Sequence, residues 1–306
     1  DFLGGAPANV ASALRKLKID SIFIGSLGSD DFGKKIIEQF NELEVNLDFL
    51  QSNNDSSTRV VNVDRDQSGD RFFSGFEPSL HSCFADEALS MKLIEKELPN
   101  LEKCFLRTQY LVTGTNVLTS PISAETIFFL LEQAKKSEVK VVIDLNWREV
   151  FWDYSNFVSD TSKKGRINLI KNFLNHAHVI KLAKEEATLF FEIENPLLIS
   201  QQMSKRPDVI ITDGKNPVSW HINGFQGNTK IPKSQTIVDT TGAGDAFLAG
   251  LISQFISFGY PTGELEIQAC VRFASACGLL TCHGEGAIEP QPDYEKVSKF
   301  LGSLIS

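Results

Sequence analysis

Residues 239–247 combine a glycine-containing turn with a carboxylate, Asp245, at the start of an apolar helical pattern. Gly242 and Gly244 allow the backbone to turn sharply and to approach a ligand closely. The amides of Ala243, Gly244 and Asp245 would then lie at a helix N-terminus, where the helix dipole favours an anion. The sequence therefore predicts a phosphate-binding turn.

Asp245 itself has two interpretations. A second anion beside bound phosphate would be repelled, unless Asp245 takes a proton from a hydroxyl group that attacks phosphorus. Alternatively, Asp245 is an ordinary acidic residue in the first turn of a helix, stabilised by the dipole. The glycines on its N-terminal side favour the first interpretation, a general base.

Strand and helix patterns alternate through the rest of the chain. Short apolar runs predict strands at 21–25, 110–113, 139–144, 178–181 and 209–212. Helical patterns occupy 32–43, 124–137, 167–175, 184–191 and 196–203. Repeated β-α units indicate a parallel sheet covered on both faces, with ligands beyond the carboxyl ends of its strands. Polar residues follow three of these strands, at 114–116, 144–148 and 212–214.

One segment interrupts this alternation. Strand patterns at Thr58–Asp64 and Arg71–Phe76 flank the polar, glycine-bearing segment Asp66–Asp70. This pattern predicts a β hairpin. It is interpreted either as a lid that excludes water from a site or as an ordinary edge hairpin.

Composition limits the functional classes. A chain of 306 residues with 42% hydrophobic content can bury a large core, and we expect one domain over residues 1–306. The net charge of −9 argues against nucleic acid or an anionic membrane as partner. The five cysteines lack paired metal-ligand spacing, and a reducing, cytoplasmic location fits them.

Two separate motifs carry a resemblance to a known family. Residues 239–251, Asp-Thr-Thr-Gly-Ala-Gly-Asp-Ala-Phe-Leu-Ala-Gly-Leu, resemble the C-terminal signature of the ribokinase/PfkB sugar kinases. Residues 4–11 and 24–33 resemble the family's N-terminal signature, and the spelling Gly-Gly-Ala-Pro-Ala-Asn is most similar to the fructokinase branch. The resemblance covers essentially the whole chain. It implies a ribokinase-like α/β fold, a three-layer α/β/α arrangement with a mainly parallel central sheet and a small β lid around 58–76.

The resemblance also implies roles for particular residues. Asp245 matches the family's catalytic base, and the segment Gly242-Ala243-Gly244 matches its anion hole. The residues that match sugar contacts are Gly4, Gly5, Asn9 and Arg148. The alternatives are a helix-entry turn for the two glycines, a first-turn cap for Asn9, and a surface ion pair with Glu149 or Asp153 for Arg148.

The nucleotide side shows departures from the family pattern. Glu186 matches a glutamate that organises Mg²⁺ and phosphate, but Ala183 replaces the polar residue expected three positions earlier. The alternative for Glu186 is a solvated acid at a helix start. Nucleotide contacts are implied for Thr212, Gly214 and Gly286, in addition to Gly242 and Gly244. ATP and Mg²⁺ are the implied cofactors, and activation by K⁺ is left open. Lys18 replaces a usual glycine after the first signature helix.

The chain opens at Asp1, directly on the first signature. The resemblance implies a preceding strand that supplies a sugar-binding carboxylate, so we expect the sequence to be truncated. Without that strand, a central sheet would have unpaired backbone groups.

The resulting prediction is ATP-dependent phosphorylation of a sugar hydroxyl, with fructose to fructose 6-phosphate as the leading reaction. A kinase for 2-keto-3-deoxygluconate, another sugar or a nucleoside would keep the same phosphate residues. A non-catalytic relative with a binding role is a further alternative. A dinucleotide-dependent oxidoreductase is disfavoured because no Gly-x-Gly-x-x-Gly turn follows a first strand. The resemblance also allows a homodimer that pairs through the β lid.

Overall fold

The computed structural model describes residues 2–65, 71–77, 84–153, 163–233 and 237–304. The strands in these ranges are β1 (Ile22–Gly28), β2 (Asn46–Asn53), β3 (Val60–Arg65), β4 (Arg71–Glu77), β5 (Tyr110–Gly114), β6 (Lys140–Asp144), β7 (Val179–Ala183), β8 (Asp208–Thr212), β9 (Val218–Ile222) and β10 (Phe225–Thr229). The α-helices are α1 (Ala6–Lys16), α2 (Asp31–Glu42), α3 (Met91–Lys96), α4 (Leu98–Phe105), α5 (Pro121–Lys136), α6 (Glu149–Asp153), α7 (Lys163–Leu174), α8 (Lys184–Phe191), α9 (Pro196–Gln201), α10 (Ala243–Phe258), α11 (Glu264–Thr281) and α12 (Tyr294–Ser303).

A six-stranded sheet forms the centre of the molecule, in the order β10-β9-β8-β7-β6-β5. Strands β5 to β8 are parallel, whereas β9 and β10 are added antiparallel at one end. The four predicted buried strands from 110 onward are therefore neighbours in one sheet. Strands β1 and β2 form a separate parallel pair.

Side chains on the central strands alternate between two cores. Val141 and Ile143 pack with helices α5, α7 and α8, whereas Val142 between them packs with α1, α10 and α11. Strands buried on both faces read as continuous apolar runs, which is why their sequences are rich in Val and Ile. The three-layer α/β/α prediction is confirmed. Helix α1 contacts β1, β5 and α10, so it connects the small parallel pair to the main sheet.

The hairpin strands are present, in the positions predicted within two residues. Strands β3 and β4 pair antiparallel from Val60↔Glu77 to Arg65↔Arg71, while the predicted turn at 66–70 lies outside the described residues. The first strand begins at Val60 rather than at Thr58. Thr58 instead donates its N–H to Asp30 Oδ2 (2.6 Å) and accepts from Gly28 N (3.0 Å). The second half of the N-terminal motif thus anchors the base of the hairpin.

Some boundaries differ from the predictions because the pattern at a helix end is weak. The helix predicted over 196–203 ends at Gln201, and the helix predicted over 167–175 begins at Lys163. None of the helices in the described ranges is long and apolar enough to cross a membrane.

Lys18 has φ 63°, just beyond the C-terminus of α1, and donates its N–H to Arg15 O. A left-handed backbone costs an L-residue about 1 kcal/mol, whereas glycine adopts it without strain. We expect Lys18→Gly to raise the free energy of unfolding by about 0.5 kcal/mol, after the greater entropy of glycine in the unfolded chain is subtracted. Urea denaturation measures this change. Lys18→Ala is the matched control, because it removes the side chain without relieving the backbone. Equal stabilities of the two variants would contradict the explanation.

Candidate active site

The carboxylate of Asp245 meets a side chain from the other end of the chain. Asn9 on α1 donates from Nδ2 to Asp245 Oδ2 at 2.7 Å, although the two residues are 236 positions apart. Asn9 is buried, and its Oδ1 has no hydrogen-bond partner within the described structure. It does not cap α1, because Gly5 occupies the N-cap position and Asn9 lies one turn further on. Asn9 from the N-terminal motif and Asp245 from the C-terminal motif therefore lie in one site.

Its surroundings make Asp245 suited to proton transfer. Its pKa is raised to about 6, chiefly by burial and next by the charge of Asp144, against opposing contributions from Asn9, Lys181 and Arg148. A carboxyl group with a pKa this close to neutral can be ionised at physiological pH and still accept a proton readily. This is the behaviour expected of a general base.

The predicted anion-binding turn precedes α10 as expected. Gly242 is the N-cap residue of α10 with φ 76°, and Ala243 N is bonded to Thr240 O at 3.3 Å. A Cβ atom at Gly242 would lie 2.8–2.9 Å from the O, Cα and Cβ atoms of Ala287. Both the positive φ and the lack of room for a Cβ atom require glycine at this position. The first-turn amides that follow lack partners within the helix, as at any helix start, and can bind an anion.

A second loop closes against this turn. Asp239 is buried and accepts from Thr241 N (2.8 Å) with Oδ1 and from Gly286 N (3.0 Å) with Oδ2. Gly286, predicted on the nucleotide side, is thereby fixed beside the anion-binding turn. Lys16 Nζ donates to Ile288 O at 2.5 Å and holds the same loop from α1. The role of Asp239 was not predicted, although an aspartate that accepts from the backbone amide two residues further on is a known turn signal.

The residues predicted to contact the sugar differ in their positions and contacts. Gly5 has φ 119°, so the helix-entry interpretation holds for it. A Cβ at Gly4 would lie 3.5 Å from Asn9 Oδ1 and 3.7 Å from Ala287 Cβ, which places Gly4 at the site. Arg148 donates from Nη1 to its neighbour Trp147 O, and its charge lowers the pKa of Asp245. The guanidinium group is thus close enough to Asp245 to act on it.

Glu186 is buried and bridges two loops. It accepts from Trp147 N at 2.6 Å and from Ala183 N at 2.7 Å. The solvated-acid alternative is therefore wrong. Ala183 has no polar side chain, and at this helix start its backbone amide donates to Glu186. Burial and the charge of Asp144 raise its pKa. No cluster of three or more His, Cys, Asp or Glu residues that could hold a metal occurs in the described ranges.

The remaining nucleotide-side residues lie at the carboxyl end of β8. Thr212 is oriented toward Leu182 O (3.5 Å), and Gly214 has φ 51° in the turn that follows. The adjacent Asp213 forms a partly exposed ion pair with Lys184 at 3.4 Å. These contacts place Thr212 and Gly214 beside the start of α8, one strand away from Lys181.

An unpredicted ion pair lies beneath the anion-binding turn. Lys181 Nζ contacts the carboxylate of Asp144 at 2.9 and 3.1 Å, and both side chains are buried. The sequence contains a signal for it, because a lysine interrupts the apolar pattern in the middle of β7. Its partner on the adjacent strand could not be read from spacing alone.

A carboxylate of near-neutral pKa beside a helix N-terminus, at the carboxyl ends of parallel strands, is the arrangement expected of an α/β phosphotransferase. The family model for pfkB family carbohydrate kinases matches residues 2–294, and the chain belongs to this family.

Known relatives resemble the chain over nearly its full length. The fructokinase of Salmonella typhimurium is 28% identical over 295 residues, which cover 94% of this chain and 88% of the relative. The crystal structure of fructokinase with bound ATP from Xylella fastidiosa has a TM-score of 0.84 and 26% identity, covering 100% of this chain and 92% of that one. Fructokinase from Vibrio cholerae O395, in a form with fructose, ADP and calcium ion bound, has a TM-score of 0.80 and 25% identity, covering 98% and 92% of the two chains. The ribokinase-like fold is confirmed.

Proposed function

We propose that this protein phosphorylates fructose with ATP to give fructose 6-phosphate. The observation that carries this proposal is the Asn9–Asp245 hydrogen bond of 2.7 Å at the start of α10, which joins the two family motifs in one site. The similarity to a fructokinase crystallised with fructose and ADP supports the choice of sugar.

The reaction needs one proton acceptor and one anion site. Asp245 would take the proton from the sugar hydroxyl as its oxygen attacks the γ-phosphorus. The bond from that phosphorus to the bridging oxygen breaks, and ADP leaves with that oxygen. The anion hole at Gly242-Ala243-Gly244 would stabilise the charge of the transferring phosphoryl group chiefly through the Gly242 and Gly244 amides, since the Ala243 amide is bonded to Thr240 O. Preorganised N–H donors are the main requirement for such a loose transition state.

The nucleotide would lie between Gly286 and the turn at Thr212 and Gly214. Mg²⁺ bound with ATP would neutralise and bridge its phosphates. Both carboxylate oxygens of Glu186 accept backbone hydrogen bonds, so this residue fits such an ion through water rather than as a direct ligand. Mg²⁺ commonly keeps several waters and takes few protein ligands, which suits this arrangement.

The sugar would bind on the Asn9 side of Asp245. Asn9 Oδ1 has no partner within the described residues and can accept a hydrogen bond from a hydroxyl group. Gly4, beside it, permits a close approach to the backbone. We assign Arg148 to the sugar or to the transferred phosphate, since a guanidinium group is a forked donor.

We assign the hairpin β3–β4 the role of a lid, held at its base by Arg59. The Arg59 side chain is 9% exposed. Its guanidinium carbon lies within about 5 Å of three ring centroids, at 4.2 Å from Phe84, 4.8 Å from Phe76 and 5.0 Å from Phe151. It also forms ion pairs with Glu87 (2.6 Å) and Asp86 (3.1 Å). Phe151 belongs to α6 and Phe76 to the hairpin, so Arg59 connects the lid to the body.

Arg59→Ala is expected to loosen the lid, because it removes the stacked cation between these rings. We expect the KM for the sugar to rise about tenfold, and ATP hydrolysis without sugar to increase as water enters the site. Coupled assays of ADP release with and without sugar measure both effects. Arg59→Lys is the control, since it keeps the charge but lacks a planar stacking group. An unchanged KM and an unchanged hydrolysis rate in the Ala variant would refute the lid assignment.

The proposed function is tested by ADP release with a panel of acceptors: fructose, ribose, 2-keto-3-deoxygluconate, adenosine and none. The assay is run with and without KCl, which also tests activation by K⁺. Turnover that depends on fructose is the expected result. Turnover with another acceptor would keep the mechanism and change the substrate. ATP binding without turnover on any acceptor would favour a non-catalytic role.

We also propose that the lid hairpin pairs two copies of the chain. Light scattering of the wild type, together with a variant in which Val61 on β3 is changed to proline, tests this arrangement. A dimer in the wild type and a monomer in Val61→Pro are expected. A monomeric wild type would exclude it.

A further inference from the structure

Lys181 is a buried cation at the carboxyl end of the central sheet. It lies on β7 directly beside Asp144 on β6 in the strand register, and its side chain is 9% exposed. The ammonium group contacts both carboxylate oxygens of Asp144, at 2.9 and 3.1 Å. Such a pair is costly to bury, so its presence next to a catalytic site calls for an explanation.

The ammonium group is directed at the anion-binding turn. A Cβ atom built on Gly244 would lie 2.9 Å from Lys181 Nζ. Nζ therefore sits against the last glycine of the Gly242–Gly244 segment. Gly244 lies in the first turn of α10 without a positive φ, so this contact rather than backbone freedom accounts for the second glycine of the motif: a side chain at 244 would push the ammonium away.

Lys181 is charged in this environment. Burial alone would lower its pKa, but the carboxylates of Asp144, Glu186 and Asp245 outweigh that effect and raise it. The charged groups that act on Asp245 come from several elements: Asp144 from β6, Lys181 from β7 and Arg148 from the loop after β6, with the neutral Asn9 from α1. Lys181 and Asp144 affect Asp245 in opposite directions.

We propose that Lys181, paired with Asp144, is a positioning residue for phosphoryl transfer: lying against Gly244, it shields the anion-binding turn and Asp245 from the charge of Asp144. This inference rests on the proposed function and assigns that site a residue pair outside the two sequence motifs. Lys181 does not touch the reacting atoms. It acts through Gly244 and Asp245, and the pair acts as an electrically neutral unit.

The test changes the charge of the pair in both directions. Lys181→Met leaves an extra negative charge, and the acid limb of kcat/KM should move to higher pH by about one unit, which is about a fivefold loss at pH 6 with little change above pH 8. Asp144→Asn leaves an extra positive charge, and the limb should move to lower pH. The double variant, neutral again, should lie near the wild type.

A binding measurement tests the anion-binding turn independently of catalysis. Calorimetry gives the ratio of the affinities for the β,γ-imido analogue of ATP and for ADP, both with Mg²⁺, which isolates the contribution of the γ-phosphate. We expect this ratio to fall several-fold in Lys181→Met and to recover in the double variant.

The outcomes separate the two proposals. If the wild type turns over no acceptor, the proposed function fails, while the affinity ratios still test Lys181. If both single variants lose activity equally at every pH, or if the double variant does not recover, the pair has a packing role and the inference is overturned. If Lys181→Met fails to fold, the opposite shift in Asp144→Asn and the recovery in the double variant decide the matter.

Discussion

Asp245→Asn is expected to reduce kcat by about 10³-fold while leaving ATP affinity within about twofold of the wild type, the size of effect typical of a lost general base. Asparagine matches the shape of aspartate and can still accept the hydrogen bond that Asn9 donates at 2.7 Å. The loss would therefore report proton transfer rather than collapse of the site. Steady-state turnover and calorimetric ATP binding measure the two quantities. Asp245→Ala should be equally inactive.

The pH dependence gives an independent check. The pKa of Asp245 is raised to about 6, chiefly by burial. A general base acts in its ionised form. Activity should therefore be present above pH 6 and fall about tenfold per unit below it. The residual activity of Asp245→Asn should lack this acid limb, the fall in activity below pH 6. A variant that kept a tenth or more of kcat, or that kept the limb, would show that another group accepts the proton.

Gly242→Ala is expected to lower kcat by about 10²–10³-fold, because the amides of the anion-binding turn would move. Two features of the structure oppose alanine. Gly242 has φ 76°, and a Cβ would lie 2.8 Å from the backbone oxygen of Ala287, an atom that cannot rotate away. We also expect the free energy of unfolding to fall by about 2 kcal/mol. Turnover and urea denaturation measure these losses.

Gly259→Ala is the matched control. Gly259 caps the other end of the same helix, α10, with φ 86°, and a Cβ there would meet no described atom within 4 Å. It isolates the cost of positive φ, about 1 kcal/mol in stability, with kcat unchanged. If Gly242→Ala behaved like Gly259→Ala in both measurements, the turn would not be the anion hole.

Local patterns accounted for much of the fold. The apolar runs at 110–113, 139–144, 178–181 and 209–212 became β5 to β8, because strands buried on both faces leave a strong signal. The added antiparallel strands β9 and β10 were not predicted. Strand β9 alternates buried and half-buried positions, whereas β10 buries only its last residue, Thr229, and such short runs at a sheet edge resemble loops.

The sequence by itself determined the residues of the anion-binding turn and the carboxylate beside it. A left-handed glycine and an acid at a helix start are local requirements, and they are encoded within residues 242–245. For the same reason the local sequence is enough to single out Asp245. Its raised pKa has no such local signal, because burial is a property of the packed chain.

Only the tertiary structure decided which residues surround that turn. Asn9 reaches Asp245 across 236 positions, Asp239 holds Gly286 across 47, and Lys181 meets Asp144 across 37. Each contact depends on which strands are neighbours and which helix faces the sheet. Hydrophobic periodicity records whether a residue is buried, but not what it is buried against. That is why the glycine-containing turn and its carboxylate could be singled out from the sequence, whereas the groups packed around them could not.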